Sequence, residues 1–140
     1  IVHMHRNPMA VCWSNYKANF FDNVGMDYAH RLETIGEFYL IYNDIMKFWK
    51  ELYPDCFINI DYDKFVTNSE KNSKSLVKSL GLEWEDKIFQ FSENERVVVT
   101  NSLFQVRSKV YKNSSQDWLK FKKHLSPITE ILKKNKIIFS

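Results

Sequence analysis

Ile1-Val2-His3-Met4-His5-Arg6-Asn7-Pro8-Met9-Ala10-Val11-Cys12-Trp13-Ser14 opens the chain and decides how the rest is read. Ile1 to His5 is short, apolar and β-prone, which predicts a strand. Asn7-Pro8 predicts a turn, and Pro8 suits the first turn of a helix running from about Met9. Arg6 then falls at the carboxyl end of the strand, and Ser14 stands eight residues later, about two turns along the helix. A guanidinium and a hydroxyl at one sheet edge can hold a phosphate, the first through a charge-assisted fork and the second as a single donor. Open α/β sheets bind ligands outside the carboxyl ends of their strands, so the position suits the chemistry. Spacing alone is served better by a surface Arg and an ordinary helical Ser.

The same element order continues downstream. A long helix is predicted from about Tyr28 to Tyr53, because Ile35, Phe38, Tyr42, Ile45, Trp49 and Leu52 form one apolar stripe at helical spacing. Pro54-Asp55 stops it. Phe57 to Tyr62 alternates apolar and polar residues and predicts the second strand, parallel to the first, with the long helix packed on a sheet face between them. Asn68-Ser69 caps a helix to about Leu80, with Leu76, Val77 and Leu80 facing inward and Gly81 as terminator. Asp22 to Asp27 reads as a loop, Glu85 to Phe91 as one more short helix, and Ser92 to Asn101 has no assigned state. Asn113 to Ser115 reads as a loop before a helix with Trp118, Phe121 and Leu125. Ser126-Pro127 opens a last helix, with Ser126 as cap, to about Asn135. Strand, helix, helix, strand, helix is the alternation of a parallel α/β sheet, mostly helical in this chain.

Composition narrows the function classes. The chain has 140 residues, 44% hydrophobic and 16% aromatic, enough for a folded core and against disorder. Twenty basic and 17 acidic residues give a net charge of +3, too balanced for a general nucleic-acid binder but compatible with a local basic pocket. Cys12 and Cys56 lie far apart with no metal-ligand spacing around them and read as buried thiols in a reducing compartment. No apolar run approaches the roughly 18 to 20 residues that cross a bilayer.

The residues His3 to Tyr16, continuing to Phe20, resemble the sulfotransferase superfamily. The likeness is strongest to bacterial sulfotransferases linked to tetratricopeptide repeats and weaker to tyrosylprotein sulfotransferases. Three later stretches match in order: Asp61-Tyr62-Asp63-Lys64-Phe65-Val66, Leu80-Gly81-Leu82-Glu83-Trp84, and Ser102 through Gln105-Val106-Arg107 to Tyr111 and Trp118. The resemblance runs from Ile1 to about Leu132. It implies a three-layer, parallel-sheet, P-loop-like fold related to nucleotide kinases. It also implies 3′-phosphoadenosine-5′-phosphosulfate (PAPS) as sulfuryl donor, a hydroxyl or amine acceptor, and no metal. Arg6 and Ser14 correspond to the ligands of the cofactor's 3′-phosphate. Ser102, Gln105, Arg107 and Tyr111 fall in the cofactor-covering loop, and Tyr62 matches a tyrosine at the cofactor site. For Tyr62, an ordinary strand-end tyrosine with one satisfied hydroxyl fits the sequence as well.

Departures from the family pattern are informative. Asp117 stands where relatives carry Arg or Lys near the cofactor, and Ala18 replaces a basic residue of the tyrosylprotein branch, with Lys17 beside it. Gly25, Gly36 and Gly81 are unclustered, so the Gly-rich loop that grips the phosphosulfate is not found in this sequence. The family's catalytic base also lies upstream of the Arg turn, and His3 and His5 read as ordinary strand histidines. Residues 1–140 are therefore expected to form the carboxyl-terminal part of one sulfotransferase domain, inactive alone and cytoplasmic. Its partners would be a nucleotide and an unknown acceptor rather than nucleic acid or membrane, with a second copy possible because two strands make a poor sheet. A helical interaction module and part of a nucleotide kinase are the competing expectations.

Overall fold

A computed structural model describes residues 1–18, 20, 25–88 and 114–139. They fall into two compact units, one of residues 1–59 with 113–140 and one of residues 60–112.

In the first unit, β1 (Val2–His5) leads through Asn7 into α1 (Pro8–Lys17). The Asn7 side chain accepts the Ala10 N–H at 3.2 Å, and Pro8 follows at the first helical position, so the turn that the sequence predicts is an N-cap. A 3-10 turn, Asp27–His30, precedes α2 (Leu32–Leu52). The predicted single helix from Tyr28 is thus interrupted: Arg31 is extended, at φ −134° and ψ 140°. The Thr34 hydroxyl donates to the carbonyls of Tyr28 and Arg31, which secures the break.

Pro54–Cys56 forms another 3-10 turn before β2 (Ile58–Asp61). β1 and β2 are neighbours in a two-stranded sheet. The Ile1 ammonium donates to the Cys56 carbonyl at 2.5 Å, and Ile58 N–H donates to the Ile1 carbonyl at 2.8 Å. One residue bridging two positions that lie two apart on its neighbour is the hydrogen-bond pattern of parallel strands. The α/β architecture with a parallel pair is as expected. Cys12 is buried, as predicted, but Cys56 is exposed, because it lies in the 3-10 turn rather than under the strand.

The carboxyl-terminal part of this unit is a 3-10 helix, Ser114–His124, followed by α5 (Ser126–Lys134). Ser114 and Ser115 are the start of that helix, not a loop, and its three-residue period lines up Ser115, Trp118 and Phe121. Leu125, not Ser126, is the cap position of α5, and it makes no side-chain capping bond. Met9, Cys12, Ile35, Trp118, Leu125, Ile128 and Leu132 form the core, where each fully buried Leu or Ile side chain contributes about 1.5–3 kcal/mol. α2 meets α5 closely at Gly36: a Cβ built there would lie 3.1 Å from Ile131 Cδ1. Only part of the predicted stripe is covered among the described residues. Ile35 is buried, while Phe38, Ile45, Trp49 and Leu52 are exposed.

The described residues of the second unit form short helices with caps. Tyr62 opens α3 (Tyr62–Thr67) rather than ending the strand, because Asp61 Oδ1 accepts the N–H groups of Asp63 and Lys64. α4 (Ser69–Ser79) is capped by Asn68, as predicted. Gly81, at φ +70°, ends it by donating to Lys78 C=O while Leu82 donates to Val77 C=O. Leu76 and Val77 are half-buried, whereas Leu80 is exposed at the cap position. The predicted loop at residues 22–24, the end of the Glu85–Phe91 helix and the Ser92–Asn101 stretch lie outside the described residues.

Candidate anion-binding site

Arg6 follows directly on β1 and is half-buried. Its Nε donates to Ser115 Oγ at 2.6 Å and its Nη2 donates to Ser114 Oγ at 2.8 Å. Neither serine stands out in the sequence. Their proximity to Arg6 comes from the return of the 3-10 helix past α1, across more than a hundred residues of chain. Ser14 is exposed on α1, nearly two turns from its start. Lys17 is one turn further along and, being three residues from Ser14, projects from the neighbouring position of the same face.

Arg6 also lines a cleft of about 260 Å³. Met4, Val11, Ile35 and Phe38 make its walls apolar, and Tyr39 and Tyr42 add two hydroxyls. The cleft solvates charge poorly. Burial, followed by the neighbouring Tyr42 and Cys12, pushes the Tyr39 phenol up to about 12, and burial pushes the Cys12 thiol to about 12. Burial raises Tyr42 as well. A cation in such a setting attracts an oxyanion more strongly than it would in bulk water.

His3 connects the strand to this cleft. Its Nδ1 lies 3.1 Å from Asn59 Oδ1 and its Nε2 lies 2.5 Å from the Tyr42 hydroxyl. His3 is therefore a fixed member of a hydrogen-bonded row, in keeping with a structural strand histidine.

Asp117 does not leave a bare negative charge near α1. It pairs with Lys17 and, at 3.3 Å, with Lys120, and it accepts the Trp13 indole N–H at 3.1 Å. The hydrogen bonds from Lys17, Trp13 and Lys120, in that order, hold its carboxyl down at about 2. The Lys17 ammonium also lies 5.4 Å from the Trp13 ring centre. The four groups form one corner in which two cations surround one carboxylate.

Tyr62 is half-buried at the start of α3 in the second unit. Ser102, Gln105, Arg107 and Tyr111 lie outside the described residues. Among the described residues no group of three or more His, Cys, Asp or Glu is placed to hold a metal ion, and no helix is long and apolar enough to cross a membrane.

An Arg at the end of a parallel strand, an Asn-Pro helix start and a helical Ser eight residues on agree with a comparison across families. The model of the sulfotransferase family matches residues 1–86. The chain belongs to the sulfotransferase family. The match takes in β1, α1, α2, β2, α3 and α4, and so includes Arg6, Ser14 and Tyr62. An uncharacterised protein of Aquifex aeolicus (strain VF5) is 33% identical over 133 residues, which covers 94% of this chain and 18% of that relative. The chain thus spans less than a fifth of the length of the relative it matches. No solved structure matches.

Proposed function

We propose that the chain serves PAPS-dependent sulfuryl transfer to a hydroxyl or amine acceptor, and that its part is to hold the 3′-phosphate of the nucleotide. The observation that carries this is Arg6, a half-buried guanidinium at the carboxyl end of a parallel strand, followed by a capped helix that bears Ser14. The residue types suit a phosphate: a cation with several N–H donors and a helical hydroxyl eight residues on. A bound PAPS supplies the activated sulfuryl group. Arg6 and Ser14 would fix the adenosine end, and such positioning accounts for much of the rate gain in transfer reactions of this kind. Arg107, Ser102, Gln105, Tyr111 and Tyr62 are proposed as further contacts to the cofactor. The three-layer P-loop-like fold and the assignment of residues 1–140 to the carboxyl-terminal part of one domain belong to the same proposal. So do a cytoplasmic setting and inactivity of the chain alone, since the sequence contains no Gly-rich loop for the phosphosulfate. Family membership favours this reading over a helical interaction module or a nucleotide kinase.

The test is an NMR-monitored titration, which reads weak affinities, of the chain and of Arg6→Ala with 3′,5′-adenosine bisphosphate and with adenosine 5′-phosphate. A charge-assisted contact is worth roughly 1.5–3 kcal/mol, so Arg6→Ala should weaken the bisphosphate by about tenfold or more. Adenosine 5′-phosphate should change little, and selectivity should fall with the lost contact. Equal loss for both nucleotides, or no preference for the bisphosphate in the unaltered chain, would overturn the assignment.

A further inference from the structure

The Arg6 guanidinium is held along one edge by two consecutive hydroxyls. Nε meets Ser115 Oγ at 2.6 Å and Nη2 meets Ser114 Oγ at 2.8 Å. A long side chain with a charged, planar head has much rotamer freedom, and two bonds on one edge remove it by setting both the position and the plane of the head. The anchor is firm on its own side. Ser115 is buried, and three residues on in the same 3-10 helix Trp118 enters the core, followed by Leu125 just beyond the helix end. Serine hydroxyls in helical turns commonly bond to their own backbone; here two in succession face a cation instead.

We propose that Ser114 and Ser115 are positioning residues of the anion site, which hold the Arg6 guanidinium in the plane in which it receives the oxyanion. The inference rests on the reading that Arg6 meets the 3′-phosphate, and adds the device that prepares it. Both bonds lie on one edge, Nε and Nη2, of a planar head that carries five N–H groups. A head ordered before the ligand arrives loses less conformational freedom on binding, and affinity rises accordingly. The two serines act through Arg6 and need not touch the ligand.

The experiment compares the unaltered chain with S114A/S115A and with S114A and S114T alone. Each is titrated with 3′,5′-adenosine bisphosphate and with adenosine 5′-phosphate while the Arg6 Nε–H resonance is followed. S114A/S115A should weaken the bisphosphate by about tenfold, leave adenosine 5′-phosphate nearly unchanged, and shift Arg6 Nε–H towards the solvent-averaged position. S114A, at a half-buried position, should show a smaller change in the same direction, and S114T, which keeps the hydroxyl, should restore the affinity. If the double variant does not fold, S114A against S114T decides. A lower melting temperature with unchanged nucleotide affinity, or an equal loss for both nucleotides, would assign the serines to folding alone and overturn the inference. Tighter binding in S114A/S115A would overturn it too, because the hydroxyls would then be competitors for the guanidinium edge. An unaltered chain that binds neither nucleotide would sink the phosphate reading and this inference with it. Equal bisphosphate affinity in the unaltered and double-variant chains would sink this inference alone.

Discussion

α4 and α5 end in the same hydrogen-bond pattern, built from different residues. At the end of α4, Gly81 N–H reaches Lys78 C=O and Leu82 N–H reaches Val77 C=O, with Gly81 at φ +70°. At the end of α5, Lys136 N–H reaches Lys133 C=O and Ile137 N–H reaches Leu132 C=O, with Lys136 at φ +57°. Glycine adopts that conformation without steric cost, whereas a residue with a Cβ loses roughly 1–2 kcal/mol there. The surroundings differ as the residues do. Ile137 and Phe139 pack against the core of the first unit, and the Asn7 side chain donates to the Phe139 carbonyl at 3.0 Å. Leu82, at the corresponding place after α4, is 62% exposed. Burial holds a strained lysine in the first unit, while in the second unit the turn chemistry itself must be favourable.

The sharpest break of this contrast is in the core. Leu132→Ala should cost the first unit about 2–5 kcal/mol, since it empties a fully buried site that is also one of the carbonyl partners in the α5 end. Urea unfolding followed by amide hydrogen exchange would show the loss in α1, α2 and α5. A change confined to α3 and α4 would refute the assignment of the core. The second test exchanges the helix ends. Gly81→Ala has open space for its new Cβ, so its cost is backbone strain alone, about 1 kcal/mol of destabilisation. Lys136→Gly relieves strain and should gain up to about 1 kcal/mol. Equal and opposite shifts in thermal melting would support a common geometry, and a destabilising Lys136→Gly would show that the lysine side chain matters more than its φ.

The smallest effect is electrostatic. Asp117 is held at about 2, below the ordinary carboxylate value of about 3.9. A carboxyl whose folded value is depressed contributes stability that is fully present above the unfolded value and is lost as pH falls through the folded one. Asp117→Asn should therefore flatten stability between about pH 4 and pH 2, with the decline at lower pH from other carboxyls retained. An unchanged acid profile would show that Lys17, Lys120 and Trp13 contribute nothing there.

Local signals carried most of what the sequence revealed. Pro8 and Asn7 gave the start of α1, Asn68 and Gly81 gave both ends of α4, and the apolar period gave α2, because each depends on residues within one or two turns. The break at Arg31 was not legible. The apolar period runs through it, and only the Thr34 hydroxyl bonds to Tyr28 and Arg31 betray it. Tyr62 looked like a strand end because the alternation reaches it, but Asp61 is a better cap than a strand residue. Arg6 and Ser14 were visible as a spaced pair near a turn. The fork from Arg6 to Ser114 and Ser115 was not, since it joins positions 108 and 109 residues apart and nothing in Asn-Ser-Ser-Gln announces a contact with a strand end. Asp117 was visible only as a departure; that it gathers two lysines and an indole follows from the approach of α1 to the 3-10 helix.

The 3-10 character of Ser114–His124 sets a length as well as a period. At about 2.0 Å per residue its 11 residues span about 22 Å, where an α-helix of the same residues would span about 16 Å. Leu125 is fixed in the core at one end, and the two serines meet Arg6 at the other. Winding the segment down to α pitch would withdraw the hydroxyls by about 5 Å and leave the guanidinium without them. The pitch of this helix is a ruler, and the distance it measures is the one from the buried Leu125 to the end of β1.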